Sequence, residues 1–291
     1  MGEIWTIGRV LQWTKGHFGE KGVRTPALDA ELILAYALGL TRVALYTRSD
    51  QPLVPDERAR IKELIARRLA GEPVAYITGV KEFWGMQFRV NPHVLVPRPE
   101  TEEIVEEARR MLQTRRNESL RFMDIGTGCG CLAAALCAEF KAATGVATDI
   151  SQSAIDVARG NIEALGFSAR VEFRVGDLFG ALMENDGSFD LIVSNPPYVP
   201  IGEIETLAPE VKCETRIALE GGLDGLDIAR KIIAQAARYL NPNGLLLMEI
   251  GSGQSDEISG IETGEGFIFS GFRPDLAGIL RVAKWRKAGG L

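Results

Sequence analysis

Arg121-Phe122-Met123-Asp124-Ile125-Gly126-Thr127-Gly128-Cys129-Gly130-Cys131-Leu132, running on through Ala133 to Phe140, is the stretch that decides the fold. An apolar strand, a glycine-rich turn and an Ala/Leu-rich helix make the first half of a nucleotide-binding βα unit. The glycines allow the backbone to approach a ligand closely, and the helix N-terminus presents unpaired N–H groups. The spacing is G-x-G-x-G and not G-x-G-x-x-G. Asp124 stands two residues before the first glycine, where its carboxylate could meet a cationic amino group.

Three more strands follow the same grammar. Gly145 to Thr148 ends in Asp149, placed to accept hydrogen bonds from ribose hydroxyls. Val171 to Val175 leads into Gly176-Asp177-Leu178, and Phe189 to Ser194 leads into Asn195-Pro196-Pro197-Tyr198. Any one of these polar residues alone reads as a helix cap or turn residue. Asp124, Asp149, Asp177 and Asn195 at four successive strand ends instead gather at the carboxyl edge of a parallel α/β sheet, where ligands bind.

The tetrapeptide carries its own chemistry. A carboxamide or exocyclic amine nitrogen is a poor nucleophile, because its lone pair is delocalised into the adjacent π system. A site that alkylates it must hold the NH2 with acceptors. The Asn195 side-chain oxygen is one and a carbonyl within Pro196-Pro197 another, while proline's fixed φ holds the backbone in place. Tyr198 could lie against the flat face of the amide or base. The alternative is a strand followed by an ordinary Asn-Pro turn. The tetrapeptide resembles the catalytic loop of methyltransferases acting on planar NH2 groups. The glycine-rich loop likewise resembles the S-adenosylmethionine loop of class I methyltransferases and not the pyrophosphate loop of dehydrogenases. That resemblance implies a Rossmann-like, seven-stranded sheet, with Asp177 near the adenine.

Composition agrees with a soluble globular protein. The 291 residues are 46% hydrophobic and 25% charged, with mean hydropathy +0.02, enough for one large or two modest domains. No run approaches a membrane span, and a basic flank followed by an apolar core is missing from the N-terminus, so neither a span nor a secretory signal is expected. Met1-Gly2 with Thr6 formally matches a myristoylation pattern, but an amphipathic helix through Ile4, Ile7, Val10 and Leu11 explains these residues better. Cys129, Cys131, Cys137 and Cys213 lack metal-ligand spacing and read as thiols of a reducing, cytoplasmic compartment. With only His17 and His93, a histidine-based metal site is not expected.

Two parts are expected, joined by a connector. Residues 1–75 show helical periodicity, with Thr25-Pro26 as N-cap and first residue of a helix to Leu38, and Pro55 opening another to Leu69. Residues 76–98 read as a β-hairpin linker around Gly79 and Gly85, and residues 99–291 as the catalytic domain. Later elements are a helix at about 225–240, a strand at Leu245 to Ile250, a helix near 254–260 and paired strands around 267–273 and 279–285. Residues 1–90 hold 13 Lys/Arg against 10 Asp/Glu in a chain of net charge −6. That bias could favour an acidic or RNA-associated partner, but argues against clamping a long duplex unaided. Arg67-Arg68 and Arg115-Arg116 read as solvated helix faces.

Gly71-Glu72-Pro73-Val74-Ala75-Tyr76-Ile77-Thr78-Gly79, Phe83-Trp84-Gly85 and Val96-Pro97-Arg98-Pro99-Glu100-Thr101-Glu102, with the Asp124 loop and the tetrapeptide, resemble the release factor glutamine methyltransferase family. The match extends from Asp29-Ala30-Glu31 through Ala218-Leu219, Gly221-Gly222 and Asp224-Gly225-Leu226 to Glu249-Ile250-Gly251 and Gln254. The resemblance implies methyl transfer from S-adenosyl-L-methionine to the side-chain amide of the Gly-Gly-Gln glutamine of class 1 release factors, by a monomer whose helical domain engages the factor. It implies cofactor contacts at Asp124, Gly126, Thr127, Gly128, Gly130, Asp149, Ile150, Asp177, Leu178 and Asn195. Asn195, Pro196 and Tyr198 would serve the reaction, and Pro197, Arg98, Pro99 and Thr101 would help wall the substrate pocket. Two positions depart from the pattern. Thr215 replaces a usual proline, which is expected to loosen the loop, and Cys129 stands where serine is commoner. An N6-adenine methyltransferase shares the tetrapeptide chemistry but must expose its base from the stack, and no basic groove for that is evident. A cofactor-binding protein that docks without catalysis, and a dehydrogenase, are the remaining alternatives.

Overall fold

The computed structural model describes residues 4–184 and 186–289, so the Met1-Gly2 pattern lies outside the described residues. The chain forms two compact units, one of residues up to Val80 with the returning segment Ala208–Cys213, the other of Lys81–Leu207 and Glu214 onward.

The first unit is helical: α1 (Ile7–Glu20), α2 (Pro26–Leu38), α3 (Arg42–Thr47), α4 (Pro55–Leu69), α5 (Val74–Thr78) and, from the returning segment, α9 (Pro209–Lys212). Helix α1 starts at Ile7 because the Thr6 hydroxyl accepts from the Arg9 amide, so Ile4 falls outside the helix and is exposed. Thr25 is the N-cap of α2 and Pro26 its first residue, as expected, although the Thr25 hydroxyl donates to Asp29 Oδ1 at 2.7 Å and caps no backbone amide. Ile7, Phe18, Ile33, Leu34 and Leu45 are fully buried, each worth about 1.5–3 kcal/mol of transfer free energy.

Arg68 departs from the solvated face read from the sequence. It is buried, donating to Asp29 at 2.7 Å and to Glu210 at 2.5 Å. A buried charge survives only when paired, and helical periodicity cannot reveal partners 39 and 142 residues away. Arg115 also reaches across the chain, to Asp190. Helix α5 replaces the first residues of the expected hairpin. Pro73 precedes it, and Gly79 at φ 75° ends it in the left-handed conformation.

The second unit opens with the hairpin β1 (Val80–Phe83) and β2 (Met86–Arg89). Trp84 and Gly85 both have positive φ, the two-residue turn that matches strand twist. Trp84 tolerates it because its amide donates to Glu102 at 2.7 Å and its indole to Glu139 at 3.1 Å. Next come α6 (Glu102–Met111), β3 (Arg121–Ile125), α7 (Cys131–Glu139), β4 (Thr144–Asp149), α8 (Gln152–Ala164), β5 (Val171–Val175) and β6 (Phe189–Ser194). The chain ends with α10 (Asp227–Tyr239), β7 (Leu240–Glu249), α11 (Ser255–Ser259), β8 (Phe267–Pro274) and β9 (Leu280–Lys287). The seven-stranded sheet has order β5-β4-β3-β6-β7-β9-β8, with β9 antiparallel to both neighbours. Strand β3 is the switch point, between β4 and β6, and Asp124 lies opposite Ala147 and Val193. A ligand crevice opens at such a point. Gly145 is required beside it, since a Cβ there would fall 2.3 Å from the Phe122 ring.

Candidate active site

A cavity of about 540 Å³ opens along the carboxyl ends of β3, β4, β5 and β6, within the range of small-molecule and cofactor sites. The turn after β3 forms its floor. The amides of Gly126 and Thr127 both donate to the Thr148 carbonyl at 2.9 Å, and the Gly128 amide donates to Asp149 Oδ2 at 3.0 Å. Asp149 also accepts from the Ser151 amide at 2.9 Å. Burial, partly offset by these amides, raises its pKa. Gly126 and Gly128 line the cavity at φ 72° and 55°, and a Cβ on either would meet no protein atom within 4 Å. The free space beside both glycines is therefore bounded by bare backbone.

Of the residues expected around a cofactor, Gly126, Thr127, Gly128, Asp149, Ile150, Asp177, Leu178 and Asn195 line this one cavity. Leu178 holds φ 49°, a strained conformation for a branched side chain, directly after Asp177. Gly130 differs from expectation. It precedes α7 at φ 83°, and a Cβ there would lie 3.2 Å from Ala158 Cβ, so its role is to seat α7 on α8. Asp124 stands behind the lining, fully buried. Its Oδ2 accepts from the Thr127 hydroxyl at 2.6 Å and its Oδ1 has no partner among the described residues. Burial pushes its pKa up to about 7. Such a group suits a cation that would replace the proton. Thr148, also buried and with a hydroxyl that has no partner among the described residues, lines the cavity beside it.

Asn195, Pro196, Pro197 and Thr101 line the same cavity. The Asn195 Nδ2 donates to Thr101 Oγ1 at 3.1 Å, and its Oδ1 has no partner among the described residues. The other expected wall residues are elsewhere. Pro99 begins a short 3₁₀ turn into α6, and Arg98 pairs with the buried Glu214, which also accepts from the Val96 amide at 3.0 Å. Glu214 thereby ties segment 94–98 to segment 214–220, and both contribute to the cavity wall. Tyr198 does not line the cavity. It borders a second, neighbouring pocket with Val199, Leu226 and Gln254, and its hydroxyl donates to Glu249 at 3.3 Å, so the structure does not place it in the cavity that holds Asn195. Burial and the nearby Glu249 carboxyl raise the phenol pKa. Sequence reasoning assigned no role to Glu214, Glu249 and His93, which come from segments away from the strand-end motifs, nor to Thr148, which stands beside Asp149 and whose direction only the fold decides.

The Gly221-Gly222 and Gly225 motif acquires a cause. A Cβ on Gly221 would lie 2.7 Å from the Pro197 carbonyl oxygen and one on Gly225, at φ 80°, 2.3 Å from that of Tyr198. The catalytic-type loop is braced by backbone that only glycine can bring so near. Gly225→Ala is therefore expected to cost at least about 2 kcal/mol and to abolish most turnover. Thermal unfolding with a parallel activity assay checks this, and wild-type values would remove the brace. Thr215, at the position of the missing proline, has φ −62°, the angle proline would impose. The loop thus keeps its path without the ring. Thr215→Pro should raise stability by about 0.4–1 kcal/mol through the unfolded state, read from denaturant midpoints.

Comparison with known proteins fits this geometry. A family described as PrmC N-terminal domain matches residues 9–79, and one described as methyltransferase domain matches residues 116–262. A release factor glutamine methyltransferase of Geobacter sulfurreducens is 47% identical over 98% of this chain and 98% of its own length. One of Bradyrhizobium diazoefficiens is 43% identical over 89% of this chain and 88% of its own. The crystal structure of a methyltransferase from Pyrococcus furiosus superposes with TM-score 0.52 at 21% identity, covering 77% of this chain and 97% of that one, a likeness of fold.

Proposed function

Because the chain belongs to the release factor glutamine methyltransferase family, we propose that it methylates the side-chain amide nitrogen of the Gly-Gly-Gln glutamine in class 1 release factors. The observation that carries this reading is the unpartnered Asn195 Oδ1, in a cavity that also holds Pro196 and Thr101. A bound S-adenosyl-L-methionine supplies an electrophilic methyl group on a sulfonium.

The residues present fit that cofactor. Asp124 would take its amino group, Asp149 its ribose hydroxyls, and Asp177 with Leu178 and Ile150 its adenine, while Gly126 and Gly128 leave room for it. Asn195 Oδ1 and the Pro196 carbonyl would accept the two hydrogens of the substrate amide. That fixes the nitrogen's direction and favours the charge that grows on it. The proton becomes acidic only as the new bond forms and leaves to water, so no strong base is required. Glycines beside the target glutamine let it protrude into a cavity that cannot admit a folded protein. The helical unit is the proposed docking element for the factor, and the free thiols of Cys129, Cys131, Cys137 and Cys213 support a reducing, cytoplasmic setting.

Transfer of labelled methyl to purified release factor tests this, with a Gln→Ala factor and duplex DNA as comparison substrates. Label on the Gly-Gly-Gln glutamine by peptide mass spectrometry, absent from the Gln→Ala factor, is expected. Label on adenine with none on the factor would overturn it.

A further inference from the structure

Asn161, on α8, does not line the cavity, yet it joins two segments that do. The side chain is 2% exposed, and its carboxamide meets three backbone groups. Its Oδ1 accepts from the Arg89 amide at 2.8 Å, and its Nδ2 donates to the Arg89 carbonyl at 3.0 Å and to the Cys129 carbonyl at 2.9 Å. A main-chain N–H only donates and a carbonyl only accepts, so these partners allow the amide one orientation. At Arg89 the carboxamide gives one acceptor and one donor to a single residue, as a neighbouring antiparallel strand would. It thereby extends the two-stranded ribbon of β1 and β2, which by itself would be marginal. At Cys129 the same nitrogen holds the glycine-rich turn, one residue before the Gly130 that packs on Ala158, a turn earlier on α8.

Both held segments reach the cavity. Cys129 lines it in the turn that forms the floor, and four residues beyond Arg89 the chain enters the wall at His93, Val94, Leu95 and Pro97. The stretch between is stiffened at Asn91, whose side chain accepts from the His93 amide at 2.9 Å and whose carbonyl accepts from the Val94 amide at 3.1 Å. We propose that Asn161 is a positioning residue that sets the spacing of floor and wall from behind, so that cofactor binding and hairpin order are coupled through its three hydrogen bonds. A cofactor seated on the floor and against the wall restrains both ends of a path whose middle is Asn161. The hairpin ties of Trp84 to Glu102 and Glu139 hold its tip, whereas Asn161 holds the end from which the chain runs into the wall. The coupling is reciprocal: whatever orders β1 and β2 tightens the cofactor by the same factor. It rests on the cofactor site and not on which molecule accepts the methyl group.

The test uses the full chain and S-adenosylhomocysteine, the demethylated cofactor, with no methyl acceptor, so its outcome is independent of the release-factor assay. Amide hydrogen exchange reads local opening. In the wild type, saturating S-adenosylhomocysteine should slow exchange of the Arg89 amide at least 10-fold, although Arg89 does not line the cavity, with the amides of α4 as reference for any global effect. Asn161→Leu keeps the bulk of the side chain and removes all three hydrogen bonds. Its Kd for S-adenosylhomocysteine should rise at least 10-fold, and saturation should then change Arg89 exchange less than threefold. A residue that served the fold alone would speed Arg89 exchange when replaced and leave the ligand-dependent slowing intact. Asn161→Asp, which keeps an acceptor for the Arg89 amide and sets a carboxyl group against the two carbonyls, should give the same readings and replaces Asn161→Leu if that variant does not fold. Arg89 exchange indifferent to the ligand in the wild type, or slowing retained in the variant, would overturn the coupling. A wild type that does not bind S-adenosylhomocysteine would overturn the cofactor site beneath it.

Discussion

Asn195→Ala is expected to lower kcat on the release factor at least 100-fold while S-adenosylmethionine still binds. The substitution removes a side-chain acceptor that already has its nitrogen committed to Thr101 at 3.1 Å and its oxygen unpartnered. That oxygen is held in place before the substrate arrives, so it costs no reorganisation when charge develops on the nitrogen. Deleting one preorganised hydrogen-bonding group of this kind costs about 3 kcal/mol of transition-state stabilisation, and each 1.36 kcal/mol is about tenfold in rate. The effect should fall on kcat and on kcat/KM alike, the signature of an interaction made mainly in the transition state. Single-turnover rates with saturating cofactor measure it. Turnover within threefold of wild type would remove Asn195 from the reaction.

Asp124→Asn should act on two quantities in opposite directions. The carboxyl is buried, with Oδ1 unpartnered and its pKa raised by burial from an ordinary 3.8 to about 7. The unfolded chain releases this proton near the ordinary value, whereas the folded chain keeps it to about pH 7. Between those two values the folded state binds more protons, so stability falls as pH rises, and above pH 7 the loss is complete. Glu249, also raised to about 7 by burial, adds a slope of the same sign. Asparagine carries no such proton. Without cofactor at pH 8, Asp124→Asn should therefore be more stable than wild type, by on the order of a few kcal/mol. Its denaturation midpoint should change less between pH 5 and 8. Cofactor affinity should fall about 100-fold, as when one partner of a buried charge pair is lost. In the wild type the same affinity should rise from pH 6 to pH 8, as the carboxylate forms. Calorimetric titration at both pH values settles the second half. A wild-type affinity independent of pH would mean that Asp124 does not meet the cation.

The parts of the site written in consecutive residues were legible from the sequence. The turn after β3, the acidic residues at the ends of β4 and β5, and the tetrapeptide after β6 each sit where a strand stops, and in a parallel sheet all strands stop on one side. Helical and strand periods located most elements, though β7 begins at Leu240, five residues before the apolar run that marks it. Asn241 to Gly244 hide its start, because they are turn-forming and fall in an irregularity of the ladder, between Leu240 opposite Phe189 and Leu245 opposite Leu191.

Side-chain direction was the part that was not legible. Tyr198, adjacent to Pro197, was read as facing the ligand, but Glu249 draws its hydroxyl away. Arg98 was read as pocket wall and Arg68 as a solvated face, but Glu214 and Asp29 hold them. Gly130 was read as ligand contact, and a helix neighbour 28 residues on explains it instead.

From its sequence alone this chain determined the doubly wound sheet, the edge on which the cavity opens and the residue types that reach it, because strand and helix periods and strand-end turns are local properties of the backbone. Only the tertiary structure decided which atom of Asn195 is left free, where Tyr198 points and what steadies the cavity wall. Those outcomes depend on hydrogen bonds between residues 51 to 116 positions apart, and a buried polar atom takes whichever partner the completed fold brings within reach.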